Sequence, residues 1–173
     1  LLSAVLSFAM IFTMFTIASP KAAAAVGNAA KIGTKEYATL NEAIAHVSDG
    51  ETITLLRDVT DATGIAVESG KNFTLDFGGH VYTLSGPGAG SPTTETNGFQ
   101  LLKDSTITFQ NGTVNIAPDA NNIKRIIQNY ADLTLENMRF ETMNQVGGED
   151  YALSFNNGRI VFKGTTSIVT SSR

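Results

Sequence analysis

The chain has no cysteine and no tryptophan, and only four prolines in 173 residues. Without cysteine there is no disulfide and no thiolate metal site, so an exported version of this protein must hold its fold by packing and backbone ladders. Charge is also scarce. Charged residues make up 16% of the chain, and the formal net charge is −4. The basic residues are scattered, so the concentrated basic face that a nucleic-acid partner needs is lacking. The two histidines, His46 and His80, have no neighbouring acidic residues at ligand spacing, which argues against a transition-metal centre. Gly86-Pro87-Gly88-Ala89-Gly90 is glycine-rich, but no helix follows it, so it lacks the context of a phosphate cradle. No cofactor is expected, and no Ser/His/Asp order stands out.

What is present begins with an apolar run. Leu1 to Ala18 carries only small hydroxyls among its apolar residues; Ser19-Pro20-Lys21 interrupts it, and Ala22 to Ala25 follow. An apolar core followed by small residues predicts a secretory signal peptide over 1–25, cut after Ala25 or slightly earlier. A run of this length also suits a transmembrane anchor, but the small residues sit where cleavage needs them. The expectation is a secreted or cell-surface protein with no membrane contact after cleavage. The chain opens without Met and stops at Arg173 just after a strand-like run, which reads as a piece of a longer protein.

One helix is legible. Thr39-Leu40-Asn41-Glu42 has the spacing of a capping box. Leu40, Ala43, Ile44 and Val47 then recur at helical spacing, and Asp49-Gly50 stops the pattern. This predicts a helix over 39–48 within an N-terminal cap at 26–51, with Thr52 to Leu56 as the first strand.

From residue 52 onward the sequence repeats itself. Phe73-Thr74-Leu75-Asp76, Ile107-Thr108-Phe109-Gln110, Leu133-Thr134-Leu135-Glu136 and Ile160-Val161-Phe162-Lys163 share an apolar, β-branched, apolar, polar order, with Ile53-Thr54-Leu55 as a looser first copy. A strand-like run precedes each of the four, at 64–67, 98–102, 125–129 and 151–155; a short one follows, at 81–83, 114–116, 139–141 and 167–169. Such units cannot bury their apolar face alone and do so by stacking. The pattern therefore predicts an all-β fold: a right-handed, single-stranded parallel β-helix over 52–173, with three short strands per coil. Leu75, Phe109, Leu135 and Phe162 would form one inward column, and Thr74, Thr108 and Thr134 an outward row. Asn111, Asn137 and Gly164 would mark a turn, since Asn and Gly tolerate left-handed backbone angles, and stacked Asn side chains would bond from coil to coil. A β-sandwich also has short, regularly spaced strands, but register, residue type and turn residues would not recur together in it. An ice-binding ladder would need regular Thr-x-Thr copies, and those around 74 and 134 break the rule.

The stretch Gly70-Lys71-Asn72-Phe73-Thr74-Leu75-Asp76-Phe77-Gly78-Gly79-His80 resembles a coil common in pectin-lyase-like bacterial surface proteins. The opening Tyr37 to Ile44, followed by Gly50 to Thr60, is similar to the cap and first coil of that group. The resemblance covers most of 32–170. It implies an exported β-helix, but this fold hosts lyases, hydrolases, adhesins and inert spacers alike.

Catalytic signatures of the group are absent. Gly79-His80-Val81 lacks a second glycine, and Arg125-Ile126-Ile127 lacks a lysine. The outward row Asp76, Gln110, Glu136, Lys163 alternates in character and makes a poor Ca²⁺ cage. Asp76 and Glu136 remain as a weak catalytic pair. Two rungs of about 4.8 Å would separate them by roughly 9.6 Å, near the upper end of the ~6.5–9.5 Å of an inverting glycosidase.

Binding is the stronger expectation. The long connections 85–97, 117–124 and 142–150 all join the third strand of one coil to the first strand of the next, so they should lie side by side on one edge. Thr93, Thr94, Glu95, Asn97, Asn121, Asn122, Asn144 and Gln145 supply hydroxyls and amides there, groups suited to a carbohydrate or a host-surface polymer. The sequence thus points to a surface adhesin or structural or binding module rather than to an enzyme, with the enzyme question left open. The alternative is the N-terminal fragment of a polysaccharide lyase or glycoside hydrolase. Self-association through an uncovered last coil is a further expectation.

Overall fold

The computed structural model describes residues 27–120, 122–142, 151–155 (backbone only) and 158–169. The predicted signal segment, Asn121, Asn144 and Gln145 lie outside these residues. The described chain is mostly β with one short helix, and its sheets are built largely from parallel pairs.

The N-terminal part differs from expectation in one respect. Two short strands, β1 (Ala30–Ile32) and β2 (Lys35–Tyr37), precede the helix as an antiparallel hairpin. β1 also pairs antiparallel with β3 (Glu51–Leu55), so Thr52 does not open the first strand of the chain. The helix α1 (Leu40–His46) lies within the predicted span. The Thr39 side chain accepts from the Glu42 N–H at 3.1 Å, and the Glu42 carboxylate accepts from the Thr39 N–H at 3.3 Å, completing the capping box. Leu40, Ala43, Ile44 and Val47 are buried, which places the apolar stripe of the helix against the core.

The remaining strands are β4 (Val59–Ala62), β5 (Ile65–Val67), β6 (Asn72–Asp76), β7 (Val81–Leu84), β8 (Asn97–Leu101), β9 (Thr106–Ile116), β10 (Arg125–Asn129), β11 (Asp132–Glu141), β12 (Tyr151–Phe155), β13 (Arg159–Lys163) and β14 (Ser167–Val169). One sheet runs β13-β11-β9-β6-β3-β1-β2, with β4 and β7 joined through β9 and β14 joined to β11. A second, four-stranded sheet runs β12-β10-β8-β5. From β3 to β11 each strand pairs in parallel with its counterpart one repeat later.

The registers match the repeat read from sequence. Leu75 pairs with Phe109, Phe109 with Leu135, and Leu135 with Phe162. The first copy is shifted: Ile53, not Leu55, stands opposite Leu75. A shift of two residues keeps every side chain on its own face, so alternation alone does not distinguish the two alignments. Thr52, Thr74, Thr108 and Thr134 form a single outward row. In the two central repeats the second and third strands merge into the long β9 and β11, each bent at one left-handed asparagine, Asn111 (φ 58°) or Asn137 (φ 53°).

Leu75, Phe109 and Leu135 are fully buried, as expected of an inward column. Phe162 is not: it is 49% exposed, and Ile168, paired with the buried Phe140, is 45% exposed. The reason is positional, since among the described residues β13 and β14 pair only with β11 and nothing covers their far side. The centre of the core is aromatic. Phe77 and Phe109, Phe109 and Phe99, Phe99 and Tyr82, and Tyr82 and Phe77 all meet with ring centroids 5.1–6.3 Å apart, closing a four-ring circuit that joins both sheets.

Candidate binding edge

The connection between β7 and β8 folds back on itself. Ala89 and Asn97 exchange backbone hydrogen bonds at 2.7 and 2.9 Å, and the Gly64 N–H donates to the Pro87 carbonyl at 2.8 Å. Gly88 and Gly90 allow this closeness: a Cβ would stand 2.6 Å from the Glu95 carbonyl oxygen at the first and 2.3 Å from that of Thr94 at the second. The connection between β9 and β10 lies directly against it. The Asn122 amide donates to the Glu95 carbonyl at 2.9 Å, and the Lys124 N–H donates to that of Thr96 at 2.8 Å. The first two connections are therefore neighbours, as their places in the repeat require; 143–150 lies outside the described residues.

The residues expected to bind there divide. Thr93 and Thr94 are exposed, and Glu95 is half-buried. Asn97 is a correction: it is only 1% exposed, with its amide donating to the Ala89 carbonyl at 2.9 Å and to Gln128 Oε1 at 2.7 Å. It secures the connection to the sheet and presents nothing to solvent. Asn122 is exposed, but one of its amide hydrogens already holds Glu95.

The weak acidic pair lies on two strands of one sheet, β6 and β11, with β9 between them. Asp76, Gln110 and Glu136 share one row, with Gln110 between the two acids. Asp76 Oδ1 accepts from the Gly78 N–H at 2.8 Å and from Asn111 Nδ2 at 3.3 Å, while Oδ2 accepts from Gln110 Nε2 at 2.9 Å. The carboxylate is an anchor for the turn, engaged on both oxygens by protein donors. His80, at the same turn, places Nδ1 3.1 Å from Asp58 Oδ1, which also accepts from the Val81 N–H at 3.0 Å. The Val81 N–H, and after it His80, hold the exposed Asp58 carboxyl below its ordinary value.

Sequence reading missed one residue, at the far end of β10 from these connections. Tyr130 follows β10 directly and lines two cavities. One, of about 320 Å³, is completed by Ser69, Ser91, Gln100, Leu102 and Lys103. The other, of about 310 Å³, includes Asp104, Ser105, Thr106, Asp132 and Arg159. Gln128 Nε2 donates to the Tyr130 hydroxyl at 3.1 Å, and Gln128 Oε1 accepts from Asn97. A chain of side-chain bonds thus runs from the folded connection through Asn97 and Gln128 to the ring. The turn beneath is pinned as well. Buried Asn129 donates to the carbonyls of Ala131 and Arg159 at 2.9 and 3.2 Å, and Ser105 Oγ donates to that of Glu68 at 3.0 Å. Tyr130 belongs to no apolar column, so periodicity gave no signal for it; its one mark is being an aromatic at a turn.

The first cavity offers the Gln100 amide, serine hydroxyls and the Lys103 cation, and the second the carboxylates of Asp104 and Asp132, two hydroxyls and the Arg159 cation. Such a surface can hydrogen-bond a polar chain from several sides while an aromatic ring packs against its apolar parts. Comparison with protein-family models, with curated proteins and with solved structures gave no match.

Proposed function

We propose that this chain is an exported, right-handed parallel β-helix of the pectin-lyase-like kind that acts at the cell surface as a carbohydrate-binding module, with Tyr130 at the centre of its site. Support for the architecture comes from the parallel registers that link each repeat to the next in both sheets. Parallel strands of one sheet joined by crossovers are almost always connected right-handedly. Export rests on the apolar run and alanine cluster of residues 1–25.

The observation that carries the binding reading is the placement of Tyr130 between two polar cavities, its hydroxyl held by Gln128. A pyranose ring has an apolar C–H face that packs on an aromatic ring, and its hydroxyls need both donors and acceptors; Gln100, Ser91, Lys103, Asp104 and Asp132 provide them. Neighbouring cavities that share one aromatic suit consecutive units of a glycan chain. Binding without cleavage is favoured because Asp76 is committed to its turn.

Calorimetric titration of the full chain with neutral and uronic oligosaccharides tests this. At least one class should bind, Tyr130→Ala should weaken it by about tenfold or more, and Tyr130→Phe, which keeps the ring, should weaken it less. Absence of binding across the panel, or equal binding by Tyr130→Ala, would overturn the reading.

A further inference from the structure

A third cavity, of about 310 Å³, shares no residue with the two at Tyr130. It lies between the 38–41 segment, which leads into α1, and strand β4. Among the described residues β4 pairs only with β7, so its outer edge is open toward this space. Leu40, Val59 and Ala62 supply apolar wall, and Arg57 and Asp61 stand at its polar side.

Tyr82 also lines the cavity. It is only 4% exposed, and its ring is fixed by Phe77 and Phe99, with centroids 6.3 and 5.7 Å away. Its hydroxyl is not among the side-chain atoms buried without a partner, so it reaches open space at the cavity wall. Phenylalanine would fill the same aromatic circuit, so the oxygen is the one part of this side chain that the packing does not need. Burial, with the nearby Asp61 charge second, pushes the phenol well above its ordinary value, so it stays an O–H donor throughout the physiological range. Arg57 already donates through Nε to the Gly27 carbonyl at 2.8 Å and through Nη1 to that of Asp58 at 3.0 Å. An anion would therefore meet an engaged cation and the free charge of Asp61.

We propose that this cavity binds one neutral sugar unit, its hydroxyls read by the Tyr82 phenol as donor and the Asp61 carboxylate as acceptor. Its volume is at the lower end of small-molecule sites, about 300–1,000 Å³, which suits a single ring and not an extended chain. The proposal does not depend on Tyr130.

The probes are the methyl pyranosides of glucose, galactose, mannose and N-acetylglucosamine, titrated into the full chain and followed by ligand-observed NMR. At least one should bind saturably. Tyr82→Phe, which removes one oxygen, should weaken it about tenfold without moving the melting temperature, and Asp61→Asn on the exposed rim should also weaken it. Lys163→Ala, exposed and outside every one of these cavities, should leave it unchanged. The proposal is overturned if none of the four binds, if Tyr82→Phe binds as well as wild type, or if binding is lost in Tyr130→Ala and kept in Tyr82→Phe.

Discussion

Asn137 combines two demands in one residue. Its φ of 53° favours Asn or Gly, and its side chain bonds to the turn on either side: Nδ2 approaches Asn111 Oδ1 at 3.5 Å, and Oδ1 accepts from the Thr165 N–H at 3.1 Å. Substitution separates the demands. Asn137→Gly keeps the backbone angle and loses only the bonds, whereas Asn137→Ala loses both and should be the less stable by about 1 kcal/mol in denaturant titration. Equal stability of the two would mean the left-handed angle carries no strain. Gly164 (φ 58°) continues the ladder, and a Cβ there would stand 2.0 Å from Asn137 Oδ1, so a side chain at 164 would push the Asn137 amide out of its bonds. Asp58 gives an acid-side prediction. Its folded pKa lies below the unfolded one, so its stabilisation is present above roughly pH 3.9 and is lost as pH falls through the folded value. Asp58→Asn should flatten the fall of melting temperature below about pH 4; an unchanged acid slope would contradict the pairing.

At the scale of elements, legibility followed period and length. The central strands were readable because apolar residues alternate over five or more positions with a turn residue at a fixed offset, and α1 because Thr39 and Glu42 bracket an apolar stripe. β1 and β2 were not, since three residues give no period and Lys35-Glu36 has no apolar face. The candidate site was legible only in part. That the connections at 85–97 and 117–124 adjoin follows from their equivalent places in the repeat. That Asn97 turns under the connection depends on its hydrogen bond to Gln128, 31 residues away, which local pattern does not encode. The inward and outward rows give a sharp contrast. Leu135 is fully buried between Phe109 and Phe162, whereas Thr134 is partly exposed in the threonine row. Leu135→Asp would bury an unpaired charge and should cost upward of about 4 kcal/mol or prevent folding, while Thr134→Asp should cost under about 1 kcal/mol. Comparable melting shifts would refute the assignment of faces.

For the molecule as a whole, the closed circuit of Phe77, Phe109, Phe99 and Tyr82 has a consequence in time. Each ring is held by two others drawn from different strands or turns, so no one of them is released while the rest stay in place. Among the described residues β13 and β14 have neighbours on one side only, with Phe162 and Ile168 exposed. Opening of the backbone should therefore be graded along the stack, with local fluctuations at β13 and β14 and near-global unfolding needed at β6 and the first half of β9. Amide hydrogen exchange followed by mass spectrometry should find the peptides around Leu75 and Phe109 the last to take up deuterium and those around Phe162 among the first, at rates at least about a hundredfold apart. A single shared rate would mean that the stack opens as one unit. A graded result would make the aromatic circuit the clock of the molecule, setting how long the two sheets remain together after the outer rows have begun to exchange.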